Sequence, residues 1–138
     1  MTRQLPVALY CLVGLGLVLQ GVRYFGAVAL MPYHMAVIDA AWDDLADSYQ
    51  TLFLGLLKGF GAGSFCVGLS VILLALGPLR TGSSQARWVV GVLAVSYCAL
   101  LVYVTSSALL PGAVPVTVTI VLLVLVVIAA VGSFFRAP

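Results

Sequence analysis

The chain has no glutamate, and charged residues of every kind make up only 7% of its 138 positions. Soluble domains carry about 25% charged residues, so a water-facing globular surface cannot be built here. The same shortage excludes a nucleic-acid-binding protein, which needs a basic patch to meet phosphates, and a disordered chain, which needs charge and low hydrophobicity. His34 is the single histidine, too few for paired haem ligands or a histidine-rich metal centre. Cys11, Cys66 and Cys98 are odd in number and lack CxxC spacing. A membrane thiol–disulfide enzyme needs a pair, whereas isolated cysteines in apolar runs behave as small hydrophobes. No cofactor is expected from these residue types.

What the chain does have is hydrophobic surface: 64% of residues, and a mean hydropathy of +1.25. A bilayer core about 30 Å thick is crossed by about 20 apolar residues in a helix. Four stretches qualify, at about residues 5–24, 51–76, 88–109 and 114–135. They are apolar on all sides rather than alternating with period two, which excludes a small β-barrel. The expected fold is all-α: one domain, an integral membrane four-helix bundle, with an amphipathic interfacial segment at about residues 32–48 between the first two spans.

Charge sets the orientation. Arg3, Arg80, Arg87 and Arg136 fall on one side of this arrangement, and Asp39, Asp43, Asp44 and Asp47 on the other. The positive-inside rule then places both termini in the cytoplasm and the acidic link outside, in a cell inner (plasma) membrane. Gly77-Pro78 reads as the stop of the second span. Ala27-Val28-Ala29 imitates a signal-peptidase site, but the long stretch before it contains Arg23, so the first span is expected to remain as a helix.

The unusual residues lie between Arg23 and Gly68. Pro32 suits a first helical turn, and no proline follows until Pro78. One helix over residues 32–76 would be about 67 Å long, so its first part must lie in the interface or project from it. Tyr24, Tyr33, Trp42 and Tyr49 suit an aromatic belt there. On a continuous helix Asp39, Asp43, Asp47, Gln50, Leu54, Lys58 and Gly61 share roughly a 100° sector. The acidic stripe would then lead to a lysine two turns inside an apolar run, a placement that costs roughly 2.5–3.5 kcal/mol at a helix centre. Snorkelling of Lys58 to the headgroups, pairing with an aspartate or neighbouring helix, and a transport role with Arg23 all remain open.

Asp43-Asp44-Leu45-Ala46-Asp47 spells DDxxD, the spacing by which prenyl-diphosphate enzymes hold magnesium. The second acidic motif such enzymes use is missing. His34 with Asp39 or Asp43 is a further candidate cation site, which makes His34, Asp43, Asp44 and Asp47 the metal candidates. Gly55, Gly59 and Gly63 form GxxxGxxxG, continued by Ser64 and Gly68. That spacing flattens a helix face so that another backbone approaches closely: either the first helix with Gly14, Gly16 and Gly21, or a second copy or partner. Ser96, Tyr97, Tyr103, Thr105, Ser106 and Ser107 suggest a polar outer vestibule.

The MPYH stretch after the first span, Trp42, and the glycine-rich second span with Lys58 give a layout that resembles small four-span bacterial inner-membrane proteins of DoxX-like shape. The resemblance implies a four-helix bundle and no particular reaction. Small multidrug exporters are similar in size but carry a first-span glutamate that is absent here. The functional expectation is a non-enzymatic accessory or interaction subunit embedded in the lipid bilayer, with a homo-oligomer or membrane-protein partner on the second span. The alternatives are an oligomeric transporter using Lys58 and the acidic stripe, and a metal-dependent enzyme using DDxxD.

Overall fold

The computed structural model describes residues 4–108 and 114–135. Every regular element among them is helical, with no strand: α1 (Gln4–Phe25), α2 (Pro32–Ile38), α3 (Asp47–Leu74), α4 (Ser84–Ala108) and α5 (Val114–Phe134). Four helices are long and apolar enough to cross a bilayer, with α3 running on through a wide turn to Leu79 for 33 residues. At about 50 Å this third helix exceeds a bilayer core and must tilt or emerge from it. Arg3, Arg136 and residues 109–113, including Pro111, lie outside the described residues.

Two expected boundaries move. Gly77-Pro78 does not stop the second span. The helix widens into a π turn over Ala75–Leu79 with Pro78 inside it, which relieves the clash of a proline ring with the preceding turn and accommodates its missing N–H. The chain reverses later, at Gly82, whose φ of 96° only glycine adopts freely. Ser83 then caps α4, its hydroxyl accepting the Ala86 N–H at 3.2 Å.

The segment at 32–48 is not one amphipathic helix. α2 covers only Pro32–Ile38 and ends at Asp39 in the left-handed conformation, φ 50°, ψ 41°, which aspartate tolerates better than most residues. A single 3-10 turn at Trp42–Asp44 follows, and helix resumes at Asp47. The break is driven by packing. With it, Leu30, Met31 and Tyr33 fold onto buried Tyr24, Ala27 and Leu57; a straight rod would carry them into solvent. Gln50 fixes the corner, its amide nitrogen donating to the Trp42 and Leu45 carbonyls at 3.0 Å each.

α1 packs on both α3 and α5, α4 packs on α5, and contact between α3 and α4 is thinner than any of these. Tyr10, Val13, Leu17, Val71, Val90, Cys98 and Val126 lie in the core, all fully buried. α1 and α3 run antiparallel along a glycine seam. A methyl on Gly21 would lie 2.7 Å from the Gly61 carbonyl oxygen, and one on Gly61 2.8 Å from that of Gly21. Gly14 and Gly68 oppose each other in the same way, at 2.8 and 2.6 Å. The seam therefore repeats every seven residues on each helix, two turns apart, and brings backbone against backbone.

The Tyr10 hydroxyl is buried in this core and faces the Ser133 hydroxyl, which already donates to the Ala130 carbonyl at 2.7 Å, so that no well-formed hydrogen bond reaches Tyr10 among the described residues. An unpaired buried polar group costs roughly 1–3 kcal/mol. Tyr10→Phe is therefore expected to stabilise the bundle by about 1 kcal/mol, read as a higher unfolding midpoint in detergent. A lower midpoint would mean that the hydroxyl has a partner.

Candidate functional site

The polar chemistry concentrates where α2 folds over the bundle. Tyr24, near the end of α1, is 6% exposed, and its hydroxyl lies 2.7 Å from that of Tyr33 on α2. Phe60 of α3 meets the Tyr24 ring edge-on at a centroid distance of 5.3 Å. His34 stacks at 4.4 Å from the Tyr33 ring and 6.0 Å from that of Tyr24. These aromatic contacts hold α2 down, since a seven-residue helix has no stability of its own.

The His34 Nδ1 is buried without a hydrogen-bond partner among the described residues, and burial lowers the imidazole pKa below its ordinary 6.5. The unfolded histidine therefore binds a proton before the folded one does as pH falls. Docking of α2 is at full strength above pH 6.5 and is lost as pH falls through the lowered value. Its titratable neighbours are Tyr24 and Tyr33. The protection factors of the α2 amides, which divide out the slower intrinsic exchange at lower pH, are expected to fall between about pH 8 and pH 5, and His34→Gln to flatten that change. Equal pH dependence in the variant would place the titration elsewhere.

Two clefts flank this cluster. One, of about 450 Å³, lies between α1 and α5 and is lined by Arg23, Gln20 and Tyr33 above Gly16, Leu19 and Val118. The other, of about 380 Å³, lies between α3 and α4 beneath His34, with Leu56, Phe60 and Val104 in its wall.

The expected acidic stripe is dispersed. Asp39 sits at the left-handed corner, Asp43 and Asp44 in the 3-10 turn, and Asp47 opens α3; all four are exposed. With the helix broken, Asp39 and Asp43 no longer share a face with Lys58, and Gln50 is occupied by backbone carbonyls. Among the described residues no three His, Cys, Asp or Glu side chains gather as a metal site, so His34, Asp43, Asp44 and Asp47 are not brought together as ligands. DDxxD is likewise split between a 3-10 turn and a helix start rather than presented on one helical face.

Lys58 is exposed on the outer surface of α3, and among the described residues no lysine or arginine nitrogen approaches an aspartate oxygen within 4.0 Å. Arg23 is also exposed, its guanidinium reaching only the Met31 sulfur at 3.9 Å. Among the described residues Gly55 and Gly59 have nothing within 4 Å of where a side chain would be, and Gly63 has the Tyr97 hydroxyl at 4.0 Å. Of the expected glycine ridge, Gly68 alone belongs to the internal seam.

The vestibule expected from α4 does not form. Ser96, Ser106 and Ser107 are exposed and donate to carbonyls of their own helix. Tyr97 and Thr105 turn inward instead, to Ser64 of α3 at 2.7 Å and Thr119 of α5 at 3.0 Å. Both pairs clasp neighbouring helices. The cysteines are free and lie apart in burial, Cys98 buried, Cys11 half-buried and Cys66 exposed.

Two features escape the sequence reading. The seven-residue spacing of Gly14 with Gly21 and of Gly61 with Gly68 is visible once the four-residue repeat is set aside. Gln20, an amide in an apolar span one turn before Arg23, is the kind of intramembrane polar residue that signals function. Comparison with protein-family models, with curated proteins and with solved structures gives no match, so the DoxX-like resemblance is one of layout alone.

Proposed function

We propose that this protein is a non-enzymatic subunit of a membrane assembly that docks a partner helix on the outer face of α3. One observation carries the reading: Gly55 and Gly59, spaced to admit a second backbone, meet nothing within 4 Å among the described residues, while α3 packs on α1 through Gly61 and Gly68. Lys58 lies on the same ridge, three residues after Gly55 and beside Gly59. A membrane-facing cation is costly when unpaired, so a partner that supplies a carboxylate at that depth is favoured over lipid.

A second copy of this chain fits the ridge poorly. A two-fold axis along the bilayer normal sets equal depths side by side and would bring Lys58 against Lys58. The expected partner is therefore a different membrane protein with an acidic residue in or near a span. The charge distribution supports an inner-membrane location with the α1 start and the α3–α4 connection, which carries Arg80 and Arg87, in the cytoplasm.

The transporter reading requires Lys58 to line a path, whereas in a single chain it lies outside the bundle. The test is a photo-crosslinking residue at Leu52, which is 55% exposed on α3 one turn before Gly55, compared with one at Val124, 52% exposed on α5. The reading predicts one defined adduct from Leu52 that disappears with Lys58→Met, and lipid only from Val124. Identical products from both positions would contradict it.

A further inference from the structure

We infer that the cleft between α1 and α5 is a binding site for one anionic phospholipid, whose phosphate is held by Arg23 and whose ester carbonyl is met by Gln20. Gly16, Gln20 and Arg23 follow one another at helical spacing on α1 and all line this cleft, with the first turn of α5 opposite and Pro32 and Tyr33 above. The polar groups stand at the rim and the apolar ones below, the profile of a lipid entering headgroup outward.

Both polar groups have unused capacity. Arg23 contributes one long contact to a thioether, a weak acceptor, which leaves most of its five donors free for phosphate oxygens. The Gln20 side chain makes no hydrogen bond among the described residues, although it lies in a span where no water competes for it. It sits about 4.5 Å deeper than Arg23, the step from a phosphate to the glycerol esters beneath it. Below them Gly16 presents no side chain; a methyl there would come within 3.0 Å of Leu122. The space of about 450 Å³ accepts the upper part of an acyl chain. The positive end of α5 faces the rim and adds to the preference for a negative headgroup. The site is separate from the α3 ridge and stands whether or not a partner docks there.

The test is native mass spectrometry of the full-length protein from micelles that contain equal amounts of phosphatidylglycerol and phosphatidylcholine. The wild type is expected to retain one phosphatidylglycerol with about tenfold preference. Arg23→Gln should bring the preference near parity and Gln20→Leu should lower it, with helicity by circular dichroism unchanged in both. Arg87→Gln removes the same charge at the far end of the bundle, away from any described cleft, and should change nothing. Equal retention of the two lipids by the wild type would overturn the site. So would an Arg87→Gln effect as large as that of Arg23→Gln, which would reduce it to general charge attraction. Displacement of the lipid by excess inorganic phosphate would overturn the assignment to a lipid rather than a free anion.

Discussion

Gly61→Ala is expected to loosen α1 from α3 and lower the stability of the bundle by about 2 kcal/mol. The added methyl would lie 2.5 Å from the Phe25 backbone nitrogen and 2.8 Å from the Gly21 carbonyl oxygen. Both obstacles are main chain, so no side-chain rotation relieves them and the helices must separate. Overpacking of this kind costs about 1–3 kcal/mol, with this site at the upper end because α1 and α3 form the most extensive contact in the fold. The better helix propensity of alanine offsets up to about 1 kcal/mol. Gly59→Ala, two residues away, gains that propensity and meets nothing; its unfolding midpoint should match or exceed the wild type. The comparison is made by detergent-titrated unfolding of the two variants side by side. Equal midpoints would mean that the α1–α3 seam is not where the structure places it.

Gly59→Ile is expected to leave the fold intact and to weaken partner association by at least tenfold. The branched side chain projects from the face where Gly55 and Gly59 are bare, and holds a second backbone away from the close approach that small residues permit. Lys58→Met should weaken association as well, because it leaves the partner carboxylate unpaired in a low-dielectric setting, a loss of about 2–5 kcal/mol for a buried pair. The two variants act by different physics, and Lys58→Arg separates them: it keeps the charge and should retain most of the association, whereas Gly59→Ala should fall between the wild type and Gly59→Ile. The readout is the amount of partner retained through purification in mild detergent, with the unfolding midpoint as the control for folding. A retained partner in Gly59→Ile would move the contact off α3.

The four spans were legible because bilayer thickness demands long apolar runs, and chain length and hydropathy alone mark them. The course of residues 32–48 was not. The pattern around Asp39, Asp43 and Asp47 suits a helix, but it says nothing of Leu30, Met31 and Tyr33 gaining burial over Tyr24 and Leu57 when the chain bends. Pro78 in sequence signals a helix stop, and the π turn that absorbs it depends on α1 and α4 packing around Ala75 and Leu79.

The glycines show the same division. Gly55, Gly59 and Gly63 announce a close-packing face, yet spacing cannot assign it to the inside or the outside of the bundle. The face used internally is carried by Gly61 and Gly68, which fit an antiparallel heptad rather than the four-residue repeat. Lys58 was legible as costly, and its exposure on α3 follows from which α3 face the seam takes. The site residues placed on the acidic stripe depended on an unbroken helix, so their grouping dissolved with the break at Asp39.

The central claim is that α3 uses one glycine face to build the bundle and leaves the other for a different protein. The most direct test is the mass of the intact assembly extracted gently from its own membrane. The account predicts the 14.4 kDa chain together with a second polypeptide of different sequence, lost when Gly59 becomes isoleucine. A bare monomer, or an assembly of identical chains alone, would contradict it.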